Sequence, residues 1–206
     1  MGFGIDLRAS FPAIVTGLVA ELVRERSARA DMTETCRMIR DLKDWRRKAA
    51  QELDVSVQVA KRGVSAMLFG MRHEKWKQRQ GISNAKRSLS MEKIEREVIR
   101  ARGLIVDHEI KKGTASRKEK ETRVLSRSVE RVEREIVDTL EAHLTRKGWT
   151  ISTLIHDEII IQRPRNDKCQ SDSVEALVRE SKLVLRSFEE ARGWAPGTLD
   201  AKLCTY

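Results

Sequence analysis

Residues 149–163 read WTISTLIHDEIIIQR, and this stretch decides the fold. Two short β-branched and aliphatic runs, 150–155 and 159–161, flank a charged tip, His156-Asp157-Glu158. Runs of this length and composition form strands, so the stretch predicts a tight hairpin with adjacent carboxylates at its turn. Hairpin turns ordinarily carry Gly, Asn or Pro for backbone reasons, and this one carries none of them. Carboxylates beside so much aliphatic surface cost free energy unless a counter-charge such as a metal ion offsets them. An exposed turn with its carboxylates in water is the plainer alternative.

Outward from the hairpin the chain is helical. Upstream, residues 117–146 predict one long helix, because Val129, Val132, Ile136, Leu140 and Leu144 recur at three- and four-residue steps; Gly148 ends it. A coiled-coil seam would show the same stripe. Downstream, 164–170 is a loop, and Asp172 with Glu175 forms a capping box. The following helix turns Val174, Leu177, Val178, Ser181, Leu185 and Phe188 inward and stops at Gly193.

At the other end, a short apolar run reaches Asp6, which is expected where a strand gives way to a loop. Pro12 then suits the first turn of a helix through about residue 26, with Ile14, Val15, Leu18, Val19 and Leu22 on its buried face. Residues 32–53 predict a charged helix carrying Met38, Ile39, Leu42, Trp45 and Ala49. A break at 54–56 leads to a second helix reaching about residue 71. On that helix Lys61, Ser65 and Phe69 fall at i, i+4 and i+8, hence on one face. Small neighbours (Ala60, Gly63, Ser65, Ala66) would let a phosphate approach the Lys61 ammonium; a solvent-facing lysine is the alternative. Residues 49–68, AAQELDVSVQVAKRGVSAML, also resemble a helix-turn-helix. Residues 91–102 read as a helix behind Ser90, and 104–110 as a strand.

The chain of 206 residues accommodates one large domain or two small ones. Charged residues make up 35%, above the roughly 25% of ordinary domains, and aromatics only 4%, which favours long solvated helices. A net charge of +10 points to a polyanionic partner, nucleic acid before a membrane surface. Two segments concentrate it: 72–88 has six Lys/Arg against one acid, and 111–123 has six against two. Arg72, Lys75, Lys77, Arg79, Lys111, Lys112 and Arg123 would contact phosphates, with Trp76 stacking on a base or sugar. Solvated helix faces are the alternative. Cys36, Cys169 and Cys204 lack metal-ligand spacing and fit reduced thiols of an intracellular protein. The apolar run 11–23 is too short to span a bilayer, so a soluble chain is expected.

In this order the elements resemble the palm and fingers of family A DNA polymerases. That family's motif C is a helix, a glycine, then a hairpin with VHDE at its turn; here it is Gly148 and then Ile155-His156-Asp157-Glu158. EALVRE at 175–180 looks like the family's next helix. Motif B has a lysine, an aromatic–glycine pair eight and nine residues later, then often Met. Lys61, Phe69, Gly70 and Met71 match it. Motif A would be Asp6. The chain departs from the family at Val57, where motif B has Arg, at Ser65, where it usually has Phe or Tyr, and at Phe11, where motif A has Glu. Phe11 followed by Pro12 looks more like family B polymerases and reverse transcriptases.

The resemblance implies an α+β fold: a polymerase-like palm, a small antiparallel sheet backed by helices, with a helical fingers insertion. Residues 1–31 and 104–206 would form the palm and 32–103 the fingers. It also implies a template-directed DNA polymerase core acting on primer-template and dNTP with two Mg²⁺ ions, held by Asp6 and Asp157, with Glu158 a weaker ligand. Lys61 would hold the triphosphate and protonate the leaving pyrophosphate, and Ser65 would line the nucleotide site. Phe69 would support the nascent pair, Gly70 would leave room for template, and His156 would contact the primer end. Phe11 would lie under the sugar and exclude a 2′-hydroxyl. Glu158 agrees with this, since single-subunit RNA polymerases resemble HDS at the turn. No thumb or proofreading exonuclease fits in this length, so further polymerase segments or subunits are expected. The rivals are a non-enzymatic DNA binder with a helix-turn-helix at 49–67 and a coiled coil through 129–144, or an inactive polymerase fragment.

Overall fold

The apolar stripe that begins at residue 129 lies on a single helix, Glu121–Arg146, and every member of it is buried. A computed structural model describes residues 2–8, 10–26, 31–155, 158–162 and 170–205. In chain order the elements are β1 (Gly2–Arg8), α1 (Ser10–Arg26), α2 (Thr33–Arg40), α3 (Leu42–Leu53), α4 (Val57–Leu68), α5 (His73–Arg79) and α6 (Leu89–Lys111). They continue with α7 (Glu121–Arg146), β2 (Thr150–Ile155), β3 (Glu158–Gln162), α8 (Gln170–Arg192) and β4 (Asp200–Thr205). The fold is mostly helical α+β, with one antiparallel sheet in the order β2-β3-β1-β4. It forms two units, Met1–Ser10 with Val129–Tyr206, and Phe11–Ser128.

The first unit is built on the sheet. Successive strand residues face opposite sides. Ile5 and Leu7 are buried, as are Ile159, Ile161 and Ala201 on the flanking strands. In register, Ile5 stands opposite Ile159 and Leu7 opposite Ala201. Asp6, between two core residues, therefore lies on the other face. Helix α8 buries Leu177, Ser181, Val184, Leu185 and Glu189. Glu189 has no exposed surface; its carboxylate accepts from the backbone N–H of Gly197 and Leu199, which fixes the turn into β4.

The second unit has its own core, in which Met38, Trp45, Leu53, Val64, Met67, Trp76, Met91, Ile94 and Val98 are mutually packed. Helix α2 starts against α6. The buried Glu97 carboxylate accepts from the N–H of Glu34 (2.9 Å), the N–H of Thr35 (2.8 Å) and the Thr35 hydroxyl (2.7 Å). Those N–H groups belong to the first turn, where no intrahelical acceptor exists. Glu34 in turn accepts from the Trp45 indole (2.8 Å), which ties α3 to the same point.

Four local expectations change. Residues 104–110 are not a strand but the last turns of α6. The buried series Ile94, Val98, Ala101, Ile105 carries one helical face straight through Gly103, where a side chain would meet nothing within 4 Å. The helix expected over 32–53 is two helices meeting at Asp41. Glu158 is not part of the hairpin tip but the first residue of β3, and Asp6 lies two residues inside β1. The fourth strand, β4, was not anticipated.

Candidate functional site

The sheet brings together two of the sequence-selected acidic positions. Asp6 on β1 is the register partner of Glu158 on β3, and Glu158 follows Asp157 directly. Two segments about 150 residues apart are thereby joined at the level of backbone pairing. His156 and Asp157 lie outside the described residues. On its other side Asp6 pairs with Lys202 of β4. The Lys202 Nζ lies 2.8 Å from Asp6 Oδ2, with a quarter of the Asp6 side chain exposed. Lys202 was missed in the sequence, although the alternation Leu199, Ala201, Leu203 around it is a strand signal.

The second cluster sits on α4. Ser56 caps this helix, its hydroxyl accepting from the Val59 N–H (3.2 Å). The face made of Ala60, Gly63, Val64, Met67 and Leu68 is buried. The opposite face presents Lys61 and Ser65 to solvent, and the Ser65 hydroxyl donates to the Lys61 carbonyl (3.2 Å). Phe69 ends the helix with 57% of its surface exposed. Its ring rests against Phe11, centroids 4.7 Å apart and tilted by 49°. Residues chosen from two separate motifs thus form one aromatic pair.

Gly70 closes α4. The Met71 N–H bonds the Ala66 carbonyl and the Gly70 N–H the Met67 carbonyl, both at 2.8 Å. This Schellman pattern needs a left-handed residue at Gly70, whose φ is +89°. The space beside it is not open. A Cβ there would sit 2.6 Å from Thr122 Cγ2 and 2.7 Å from Arg102 Nη1. Arg102 in turn is ion-paired to Glu121 (3.0 Å).

Of the basic positions, Arg72, Lys75 and Arg79 on or beside α5 are exposed, as are Lys111 and Lys112 at the end of α6 and Arg123 on the first turns of α7. Arg72 also pairs with Glu95 at 3.7 Å. Trp76 and Lys77 are corrections. Both are buried, because α5 turns His73, Trp76 and Lys77 toward the core at i, i+3 and i+4. The Trp76 indole fills the space left by Gly63, and a Cβ at Gly63 would come 2.6 Å from its Cζ2. Neither face of the ring is left for a base. The Lys77 ammonium donates to the Asn84 carbonyl at 3.4 Å and stands 3.6 Å from Glu74. It is an internal tether rather than a phosphate contact.

Helices α3 and α4 are separated by residues 54–56, with Asp54 left-handed at φ 51°. The stripe needed for a coiled-coil partner is already buried within one chain. Among the described residues no helix is long and apolar enough to cross a membrane. Among them, too, no three His, Cys, Asp or Glu side chains converge as a metal site. Asp6 presents carboxylate oxygens from a strand position, the donor type a hard cation takes, and the Lys202 ammonium group lies against one of them.

No protein-family model and no curated protein matches this sequence. Among solved structures, the chain is similar to the POL domain of Pol1 from M. smegmatis in complex with DNA primer-template and dNTP. The TM-score is 0.61 at 12% identity, over 98% of this chain and 38% of that one. The fold is polymerase-like. This chain spans well under half the length of the structure it matches.

Proposed function

We propose that this chain is the palm-and-fingers part of a template-directed DNA polymerase, adding dNTPs to a primer 3′-hydroxyl. The observation that carries the reading is the pairing of Asp6 with Glu158, on a fold similar to a polymerase domain. In this reading the palm comprises 1–31 and 104–206, and the fingers 32–103. Asp6 and Asp157 would hold two Mg²⁺ ions, with Glu158 a weaker ligand and His156 against the primer end. When bound, those ions supply charge stabilisation at the attacking and leaving oxygens of an in-line displacement.

The remaining residues bind and orient. Lys61 stands on the exposed face of α4 as a cation for the triphosphate and a proton source for pyrophosphate, with Ser65 one turn on. The exposed ring of Phe69, held by Phe11, offers an apolar surface for the nascent base pair, and Phe11 would be the side chain that excludes a 2′-hydroxyl. Arg72, Lys75, Arg79, Lys111, Lys112 and Arg123 remain the phosphate contacts of this reading. Further polymerase segments would complete the machine.

The test is Mg²⁺-dependent primer extension with dNTPs. Asp157→Asn is expected to remove extension while leaving duplex affinity largely intact. Unchanged extension, or Mg²⁺-independent sequence-specific binding without any extension, would defeat the proposal.

A further inference from the structure

The Asp6 carboxylate already has a cation. Lys202 lies directly across the β1–β4 ladder from it, and the two side chains meet at 2.8 Å on the face of the sheet opposite the apolar core. This placement is built rather than incidental. Ile5 stands opposite Leu203 and Leu7 opposite Ala201, so the register of β4 is pinned on both sides of Lys202. The turn into β4 is itself fixed by the buried Glu189 carboxylate, which accepts from the Gly197 and Leu199 N–H groups. A one-residue slip would put Lys202 on the core face.

Resting on the metal-binding reading of Asp6, we propose that Lys202 is a positioning residue that holds this carboxylate in the absence of a divalent ion and competes with the ion for it, so that it sets the metal concentration at which the site loads. Several features suit it to that task. An ammonium is a compact point charge, which matches one carboxylate oxygen as a small hard cation does. About half of the Lys202 side chain is exposed, so the flexible stem can swing its charge into water when an ion arrives. With Lys202 in place, Asp6 is neutralised and aimed. Without it, a carboxylate three-quarters buried would stand with less compensation in the metal-free protein. Removing the lysine takes away both the competing ion pair and the repulsion between ammonium and divalent ion. Metal affinity should therefore rise.

The experiment uses the intact chain and Mn²⁺, read by the loss of the free-ion electron paramagnetic resonance signal on titration. Far-UV circular dichroism melts establish that each variant is folded. Lys202→Met and Lys202→Gln are expected to bind Mn²⁺ at least about threefold more tightly than the parent protein. Lys202→Arg should stay close to it, and Asp6→Asn should lose binding. A lysine with a merely structural role would lower the melting temperature and leave Mn²⁺ affinity unchanged. Equal or weaker binding by both Lys202→Met and Lys202→Gln, with Asp6→Asn still defective, overturns the role given to Lys202 and keeps the metal site. Full binding by Asp6→Asn overturns the metal site itself, and the inference with it.

Discussion

Replacing Gly70 by alanine puts the end of α4 to a quantitative test. Two separate costs follow from the geometry. The first is backbone strain: φ is +89°, and a side chain in the left-handed region costs about 1–2 kcal/mol. The second is steric. The new methyl would lie 2.6 Å from Thr122 Cγ2 and 2.7 Å from Arg102 Nη1. Arg102 is only 14% exposed and ion-paired to Glu121, so moving its guanidinium would disturb that contact. Overpacking of this kind costs about 1–3 kcal/mol. The sum is about 2–5 kcal/mol, which, with an m-value of about 2 kcal/mol per molar urea, lowers the unfolding midpoint by about 1–2.5 M. Urea titration followed by far-UV circular dichroism measures it. Repeating Gly70→Ala in a Thr122→Ser background removes the clashing Cγ2 and should recover part of the steric cost, leaving the backbone cost in place. A single-mutant loss below about 0.5 kcal/mol would refute the Schellman assignment and the close approach together. Since Phe69 precedes Gly70 directly, the same substitution should also loosen the Phe11–Phe69 contact.

Further outcomes follow from other contacts. Glu97→Gln leaves one carbonyl oxygen for three donors and should cost about 1–3 kcal/mol, read by the same titration. The adjoining cavity of about 330 Å³ is the route by which water offsets part of this loss. His73 is buried with no partner for Nε2 among the described residues, and burial, aided by the Lys77 charge, holds its pKa below 6.5 despite Glu95, Glu74 and Glu92 nearby. Above that value neither folded nor unfolded imidazole is protonated. Below it the unfolded chain takes up the proton first, so stability should fall as pH drops under 6.5. His73→Gln should flatten that slope, and an unchanged slope assigns it to other groups. Phe11→Ala should admit ribonucleotides in primer extension, and unaltered sugar selectivity would remove Phe11 from the gate.

Much of the fold was legible because its signals are periodic. The α7 stripe, the α4 face and the hairpin each repeat a simple pattern, at 3.6 or 2 residues, long enough to exclude the other. Gly103 misled because glycine ordinarily weakens a helix, whereas here it lies on a surface where nothing touches it. The break at Asp41 left no trace, since no Gly or Pro marks it. Position, not composition, was the harder part of the site. Phe11 and Phe69 were chosen separately, and their contact could not be read from either motif. Trp76 and Lys77 sit in a basic run that looks solvated, and only the three- and four-residue spacing with His73 shows which way α5 turns them. Around Lys202 the alternation Leu199, Ala201, Leu203 signals a strand, but not which strand it pairs with, so the Asp6 contact could not be read from it.

The strand order has a consequence for synthesis. β1 is flanked by β3 and β4, so it waits for partners translated more than a hundred residues later. Helices α2 to α6 make local contacts and can consolidate while the ribosome is still at work. The carboxylate face cannot, because its three strands meet only once β4 has been made. Nascent chains therefore carry consolidated helices before the β1–β4 ladder that sets Lys202 against Asp6 exists.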